Sequence, residues 1–464
     1  MTGRIGVARG TALYVGAVLG PGVLVLPALA VQAAGPASLV AWAVMLAVSA
    51  PIAAAFAALG IRYPDSGGVA TFTRRAFGPT AATVVGWWFY TAVPMGMAAG
   101  AMAGARYAAT ALGAGAGTAA GIAAGVLAAA YAMNFVGLHL SGRLHLALTG
   151  GLCALLVTVI VVAVPHIQAS RFTPFAPQGL SGVTSAAAVL FVAICGWEAA
   201  AHLAGEFTHP RRQLPVVAAA SLGIIAVLYA GLAIGTVGVL GASAGRSDVP
   251  LLRLLGPQAG VGASVAAALC ALLLTFGACF TFIAAAARAG AALGRDGAFP
   301  AWFAATRGGV PRHSLAVQTG AAAAVAIAAT AAPTVVDVDL LMRAFSVLVA
   351  SVTLLGLAAA VRLLDSPLIR GGAAVGAAVV GGVAACGGRL VLLPVAVAVA
   401  ALTWRRHHPA PPAPPAATPA TRPAVGSTPR RIAEVDVQPR RSYELANPAA
   451  RMSAPARSRP ASQR

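Results

Sequence analysis

Lysine is absent from all 464 residues, and every one of the 31 basic side chains is arginine. A buried lysine titrates readily whereas arginine stays charged, so any proton coupling in this chain must run through a carboxylate or a histidine. Carboxylates are scarce as well, with eleven Asp and Glu in total, and charged residues make up only 9% of the chain. The five cysteines (Cys153, Cys195, Cys270, Cys279 and Cys386) all fall inside apolar runs without ligand-like spacing. They read as small packing residues, and no metal site is expected. Neither a His-Glu-x-x-His motif nor a Walker loop appears, and there is no large loop domain. An enzyme is therefore not expected.

What is abundant is apolar surface: 59% of the residues are hydrophobic and the mean hydropathy is +0.85. Most of such a chain cannot be a soluble fold. Runs of about 20 apolar residues number roughly twelve, at 11–33, 39–60, 80–110, 115–138, 144–164, 183–207, 215–240, 259–286, 314–332, 339–363, 371–387 and 389–404. The last two are short, which leaves eleven open. The expected fold is an all-α integral membrane protein of about twelve transmembrane helices. Its first span is too long for a secretory signal and has no small-residue cleavage site before a soluble domain.

Two spans are interrupted. Gly20-Pro21-Gly22 divides the first, and Cys195-Gly196-Trp197-Glu198 sits at the centre of the sixth. Backbone groups freed in hydrocarbon persist only where protein or a water-filled cavity satisfies them. Breaks at corresponding places in two spans therefore point to a binding site. In the first break, the amides that open the half-helix after Gly22, with the positive end of its dipole, suit a carboxylate. Gly20 and Gly22 permit close approach, and the fixed φ of Pro21 suits a helix start. A proline kink at a crowded helix crossing is the plainer alternative. In the sixth span, Glu198, His202 and Glu206 follow at i, i+4 and i+8, on one helical face. An intramembrane carboxylate costs roughly 2.5–3.5 kcal/mol at a span centre, so Glu198 marks a functional site by default, with His202 as its proton partner. The plainer alternatives are that Glu198 caps amides freed at the break and that Glu206 pairs with arginine at the inner exit.

The charge is placed unevenly. With a cytoplasmic N-terminus and twelve alternating spans, sixteen arginines from Arg4 to Arg406 face the cytoplasm and six lie at or near the outer ends. This positive-inside bias puts both termini in the cytoplasm. It also accounts for the net charge of +20 without a nucleic-acid partner. Residues 1–404 read as the membrane domain. Residues 405–464, rich in Pro, Ala and Arg with a net charge of +8, read as a disordered cytoplasmic tail, free in solvent or lying against anionic lipid. Two inner loops are gate candidates: an amphipathic helix within 63–78, and the segment 288–313. Asn134, Thr275 and Thr281 suit hydrogen bonds to backbone carbonyls, Asp337 and Asp339 suit helix capping, and Trp87, Trp88 and Tyr90 suit an interface belt or a substrate wall.

The segments LGPGVLVLPALA (19–30), RYPDSGGVATFTRRAFG (62–78) and GWEAAAHLAGEFTHPRRQLP (196–215) together resemble the amino acid–polyamine–organocation superfamily of transporters. They are most similar to its bacterial L-methionine and branched-chain amino-acid exporters. The resemblance covers 1–404 and implies a five-plus-five inverted repeat with helices 1 and 6 broken. It implies a substrate carboxylate held by the amides of Gly22, Val23 and Leu24 beside Gly20. The substrate ammonium would meet carbonyls around Ile194, Cys195 and Gly196, next to Trp197. Glu198, with His202, would handle protons. The sequence departs from the pattern at Pro21, where a small hydroxylated residue is common. The expectation that follows is a secondary transporter of neutral apolar amino acids in the cell membrane, proton-coupled and outward-moving, needing no cofactor, and with a homo-oligomer open. An importer or exchanger on the same fold, and a non-transporting amino-acid sensor, are the alternatives.

Overall fold

The computed structural model describes residues 5–64, 67–137, 142–201, 204, 207–246, 249–255, 260–385 and 388–408. His202, Glu206, Cys386 and the tail beyond residue 408 lie outside the described residues. The chain is an all-α membrane protein. The first apolar span is α1 (Val7–Leu19), a single 3₁₀ turn at Pro21–Leu24, and α2 (Leu26–Ala34). Next come α3 (Ser38–Arg62), the short connector helix α4 (Gly68–Phe77), α5 (Pro79–Ala111), α6 (Ala116–Val136) and α7 (Gly142–Ala163). The sixth span repeats the broken pattern as α8 (Gly179–Leu190), a 3₁₀ turn at Phe191–Ile194, and α9 (Trp197–Ala201). There follow α10 (Pro210–Gly235), which continues through a π-helical turn to Leu240, the short α11 (Pro250–Leu254), α12 (Gly260–Arg295), α13 (Arg312–Ala331), α14 (Val338–Leu363), α15 (Pro367–Ala385) and α16 (Leu392–His407).

Every expected apolar run thus corresponds to a helix or a broken pair. Among the described residues, nine helical stretches are long and apolar enough to cross a membrane unaided. The halves α1 and α8 are too short alone. Helix α5 is long enough at 33 residues, but its indoles, phenols, glycines and Arg106 make it less apolar, and it is buried along most of its length.

The packing has the symmetry that the breaks suggest. Spans one to five and six to ten form two sets, and exchanging them maps the helix contacts onto themselves. Helix α1 packs on α10 as α8 packs on α3, and α5 packs on α14 as α12 packs on α7. The α5–α12 and α3–α10 contacts map onto themselves. Small residues permit the closest crossing. A Cβ on Gly104 of α5 would meet Thr275 Cβ at 3.0 Å and the Ala271 carbonyl oxygen of α12 at 3.2 Å.

The two gate candidates meet at one end of the bundle. Helix α4 is amphipathic, burying Val69, Phe72 and Ala76. Its Arg74 is paired through both terminal nitrogens with Asp296, just past the end of α12. Arg62 at the end of α3 pairs with Asp365 after α14. Both pairs are substantially solvent-exposed, so each contributes little to stability. Of the other polar residues, Asn134 donates to Ala130 O at 2.8 Å and Phe280 O at 3.2 Å, joining α6 to α12. Thr281 bonds back to Gly277 O, whereas the buried Thr275 hydroxyl has no partner among the described residues. The indoles of Trp87 and Trp88 donate to Ala298 O and Pro394 O, and Tyr90 donates to Ser314 O, so these three tie helices together.

Gly104→Val should force α5 and α12 apart at an overpacking cost of about 1–3 kcal/mol. Thermal unfolding in detergent should show a lower midpoint than the parent; an unchanged midpoint would mean that this crossing is not tight.

Candidate functional site

Each break turns on a glycine that no other residue replaces without strain. Gly20 has φ 39° and Gly196 has φ 130°, both in the region that disfavours a Cβ. Gly196 is also the contact point of the two broken spans. A Cβ there would lie 2.7 Å from Ala17 O and 2.9 Å from Val18 Cα. The 3₁₀ turn after Gly20 places proline at its first position, where an amide hydrogen has no helical partner in any case. Val25 N–H closes the turn onto Gly22 O at 3.1 Å.

The backbone groups freed by the breaks are met by side chains from other spans. Tyr229 of α10 directs its hydroxyl at Val18 O and Leu19 O, at 3.3 and 3.4 Å. Tyr107 of α5 donates to Leu24 O at 2.7 Å and accepts from Leu251 N–H at 3.2 Å. In the sixth span the carboxylate of Glu198 accepts from Gly196 N–H at 2.8 Å, which is the capping contact that the spacing allowed. Glu198 is 1% exposed. Its other oxygen has no hydrogen-bond partner among the described residues, and the hydroxyl of Thr353 on α14, also unpartnered, stands beside the carboxyl outside hydrogen-bonding geometry.

Between the breaks lies a small cavity of about 30 Å³. Backbone and small residues of both broken spans form one side, including Gly20, Gly22 and Cys195, and Met97, Phe282, Met342 and Phe345 from α5, α12 and α14 form the other. None of the described residues that line it is charged. Of the sequence-selected residues, Gly20, Gly22 and Cys195 therefore line the cavity, while Val23, Leu24, Ile194, Gly196 and Trp197 adjoin it without lining it. Val23, Leu24 and Ile194 are buried. Trp197 points away, its indole donating to Ser49 Oγ on α3 at 2.8 Å and its ring edge-on to Tyr14. His202, the expected proton partner, lies outside the described residues.

The sequence reading missed Met97, Phe282, Met342, Phe345, Tyr107 and Tyr229. In an apolar run a methionine or phenylalanine carries no sign of which way it faces. The two tyrosines were visible only as rare hydroxyls deep in such runs. Gly241 to Gly245 carries the spacing Gly-x-Ser-x-Gly of a hydrolase nucleophile. Here it forms a 3₁₀ turn rather than a strand-to-helix elbow, and the Ser243 hydroxyl is bonded to Leu240 O at 2.7 Å.

Two broken spans facing each other across a small apolar cavity, inside two exchanged sets of five helices, define a membrane transporter fold. The amino acid permease family model matches residues 5–417, and the chain belongs to that family, whose members are transporters rather than enzymes. It is similar to the uncharacterized amino acid permease YecA of Bacillus subtilis, 31% identical over 295 residues, which cover 64% of this chain and 70% of that one. It is also similar to the L-methionine/branched-chain amino acid exporter YjeH of Escherichia coli, 32% identical over 231 residues, 49% of this chain and 54% of that protein. The branched-chain amino acid permease BcaP of Bacillus subtilis is 24% identical over 248 residues, 50% of this chain and 53% of that protein. The chain thus spans about half the length of the exporter and of BcaP.

Removing the Glu198 cap should be felt through the Gly196 amide. Glu198→Ala leaves a buried N–H unsatisfied, at about 1–3 kcal/mol, whereas Glu198→Gln retains an acceptor oxygen. The alanine variant should therefore melt below the glutamine variant in detergent; equal midpoints would show that the cap does not hold the break.

Proposed function

We propose that this protein moves neutral, apolar amino acids of the methionine, leucine, isoleucine and valine class outward across the cell membrane, coupled to protons, with both termini cytoplasmic. The observation that carries this reading is the lining of the cavity between the breaks. A substrate's charged groups are those common to all amino acids, and the half-helix amides at Gly22, Val23 and Leu24 and the carbonyls around Ile194, Cys195 and Gly196 suit its carboxylate and ammonium. Its side chain then meets Met97, Phe282, Met342 and Phe345. With no charged residue among the described lining, a cationic or anionic side chain would lose its hydration without a partner. Methionine walls adapt to branched and unbranched chains alike.

Proton coupling is assigned to Glu198. Buried, with one oxygen bonded to the break and the other without a hydrogen-bond partner among the described residues, it is placed to bind and release a proton as the break changes shape. Efflux takes its support from the relative described as an exporter. The relative described as a permease for branched-chain amino acids favours a second reading, import or exchange through the same site.

The test is counterflow and efflux of labelled methionine and leucine from proteoliposomes, with and without an imposed pH gradient. Movement accelerated by the gradient supports the reading, and the sign of flux in loaded cells decides between export and import. No movement would overturn it and favour a sensor. Glu198→Gln should transport without gradient acceleration; retention of that acceleration would remove Glu198 from coupling. Phe345→Ala should shift preference from leucine toward phenylalanine by roughly tenfold or more, the scale of a changed hydrophobic pocket; an unchanged ratio in competition assays would place the side-chain pocket elsewhere.

A further inference from the structure

Among the described residues, two carboxylates stand at the end of the bundle where α3 finishes and α5 begins, and both are taken. Asp296 pairs with Arg74, and Asp365 with Arg62. Arg75 and Arg362 bond no carboxylate among the described residues. Each is held over an aromatic face instead. The Arg75 guanidinium lies 4.8 Å from the centre of the Tyr63 ring, which Arg62 also approaches at 5.9 Å, and the Arg362 guanidinium lies 5.6 Å from that of Phe77. These contacts close into a ring. Arg75 meets Tyr63, the neighbour of Arg62; Arg62 pairs with Asp365, three residues past Arg362; and Arg362 returns to α4 through Phe77, two residues after Arg75. Three guanidiniums and one carboxylate share the ring, leaving two positive charges. Arg75 and Arg362 are exposed, and so are apolar side chains beside the ring: Phe77 at 39% and Leu368, at the start of α15, at 86%.

We infer that this ring holds the headgroup of an anionic membrane phospholipid, with its phosphate between Arg75 and Arg362 and its chains against Phe77 and Leu368. A planar guanidinium offers paired donors that match phosphate oxygens. One already fixed on an aromatic face has less freedom left to lose on binding. Helix α4 is amphipathic and joins two spans, and Leu368 lies at the start of another, so the ring stands where headgroups meet hydrocarbon. A soluble anion would use the arginines and leave the apolar pair in water, whereas a lipid covers both. In the proposed orientation the lipid belongs to the cytoplasmic leaflet, whose surface is negative. A general positive-inside bias asks for arginines at this end, but neither for the rings beneath them nor for the apolar pair. Arg75 belongs to the first set of helices and Arg362 to the second, and α4 packs on α14. The bound phosphate therefore ties the two sets together at the end that Arg74–Asp296 also joins.

Phosphatidylglycerol is titrated into the purified full-length protein in detergent, and its occupancy is read by intact-protein mass spectrometry. It should bind well above phosphatidylcholine of the same chains; equal binding of the two overturns the anionic site. Glycerol phosphate at matched concentration should not displace it, and displacement would make a soluble anion the occupant and overturn the lipid. The double variant Arg75→Gln with Arg362→Gln should weaken the first phosphatidylglycerol bound by roughly thirtyfold, the worth of two basic side chains at an anionic surface. Arg211→Gln with Arg212→Gln, which removes two exposed arginines from the start of α10, should leave it unchanged. Equal loss in both double variants would mean diffuse attraction by surface charge and overturns the site. The basic tail is present in all of these proteins, so whatever it binds cancels in the comparison. Because a loss also follows from misfolding, the last measurement uses the parent protein. Phosphatidylglycerol with a photoreactive headgroup should crosslink to α4 and to residues 362–370; crosslinking confined to other segments overturns the inference.

Discussion

A backbone that leaves the helix inside hydrocarbon must find partners for its amides and carbonyls, and the rest of this structure follows from meeting that demand twice. An unsatisfied peptide group in an apolar medium costs several kcal/mol, so neither break is stable as part of an isolated helix. The partners come from elsewhere in the bundle. Tyr229 serves the carbonyls before the first break and Tyr107 the carbonyl after it, while Glu198 serves the amide in the second. Because those tyrosines belong to α10 and α5, the seventh and third spans, the first broken span takes partners from both sets of helices. Gly196 completes the lock, since only a residue without a Cβ lets one break rest on the backbone of the other.

This arrangement separates rigid parts from movable ones. The α5–α12 crossing is held close by small residues, and the Asn134 bridge ties α6 to the same helix α12. The contacts at the two ends are of another kind. Arg74–Asp296 and Arg62–Asp365, which join the two sets at one end, are exposed ion pairs, each weak enough to exchange for water, and Arg343–Asp339 at the other end lies within α14 and ties it to no other helix. A transporter that rocks one set of helices against the other has to break contacts at its mouths without disturbing the packing between them. Strong central packing with weak pairs at the ends meets that requirement.

How much of this was legible in the sequence follows from the range of the signals. The spans were legible because a run of about 20 apolar residues is a local feature, and the breaks were legible because glycine and proline punctuate such runs wherever they fall. Asn134 and Asp337 behaved as their chemistry suggested, one bridging helices and the other capping α14. Glu198 was found by its charge, yet its bond to the amide two residues before it depends on the local path of the break, which spacing counted along a regular helix does not describe. The walls of the inner cavity were illegible for a simpler reason. In an evenly apolar helix the periodicity that tells inside from outside is lost, so nothing in the run around Met97, Phe282 or Phe345 says which face meets a ligand and which meets a neighbour or lipid.

Pro21 shows how the fold limits what the site can offer. It occupies the first position of the 3₁₀ turn, where the missing N–H removes no helical hydrogen bond. For the fold, proline there is neutral or favourable, since its fixed φ prepares the turn. For a carboxylate bound at that turn it has a different meaning, because one of the amides that a helix start normally presents to an anion is gone. The anion must then rely on Gly22 and the amides that follow, and Gly22, having no side chain, keeps that approach open. In the proposed reading, a site with one donor fewer would hold the substrate carboxylate less tightly, and a larger share of its discrimination would fall on the apolar side-chain pocket. The uncharged lining of that pocket, formed by two methionines and two phenylalanines opposite the breaks, is suited to supply it.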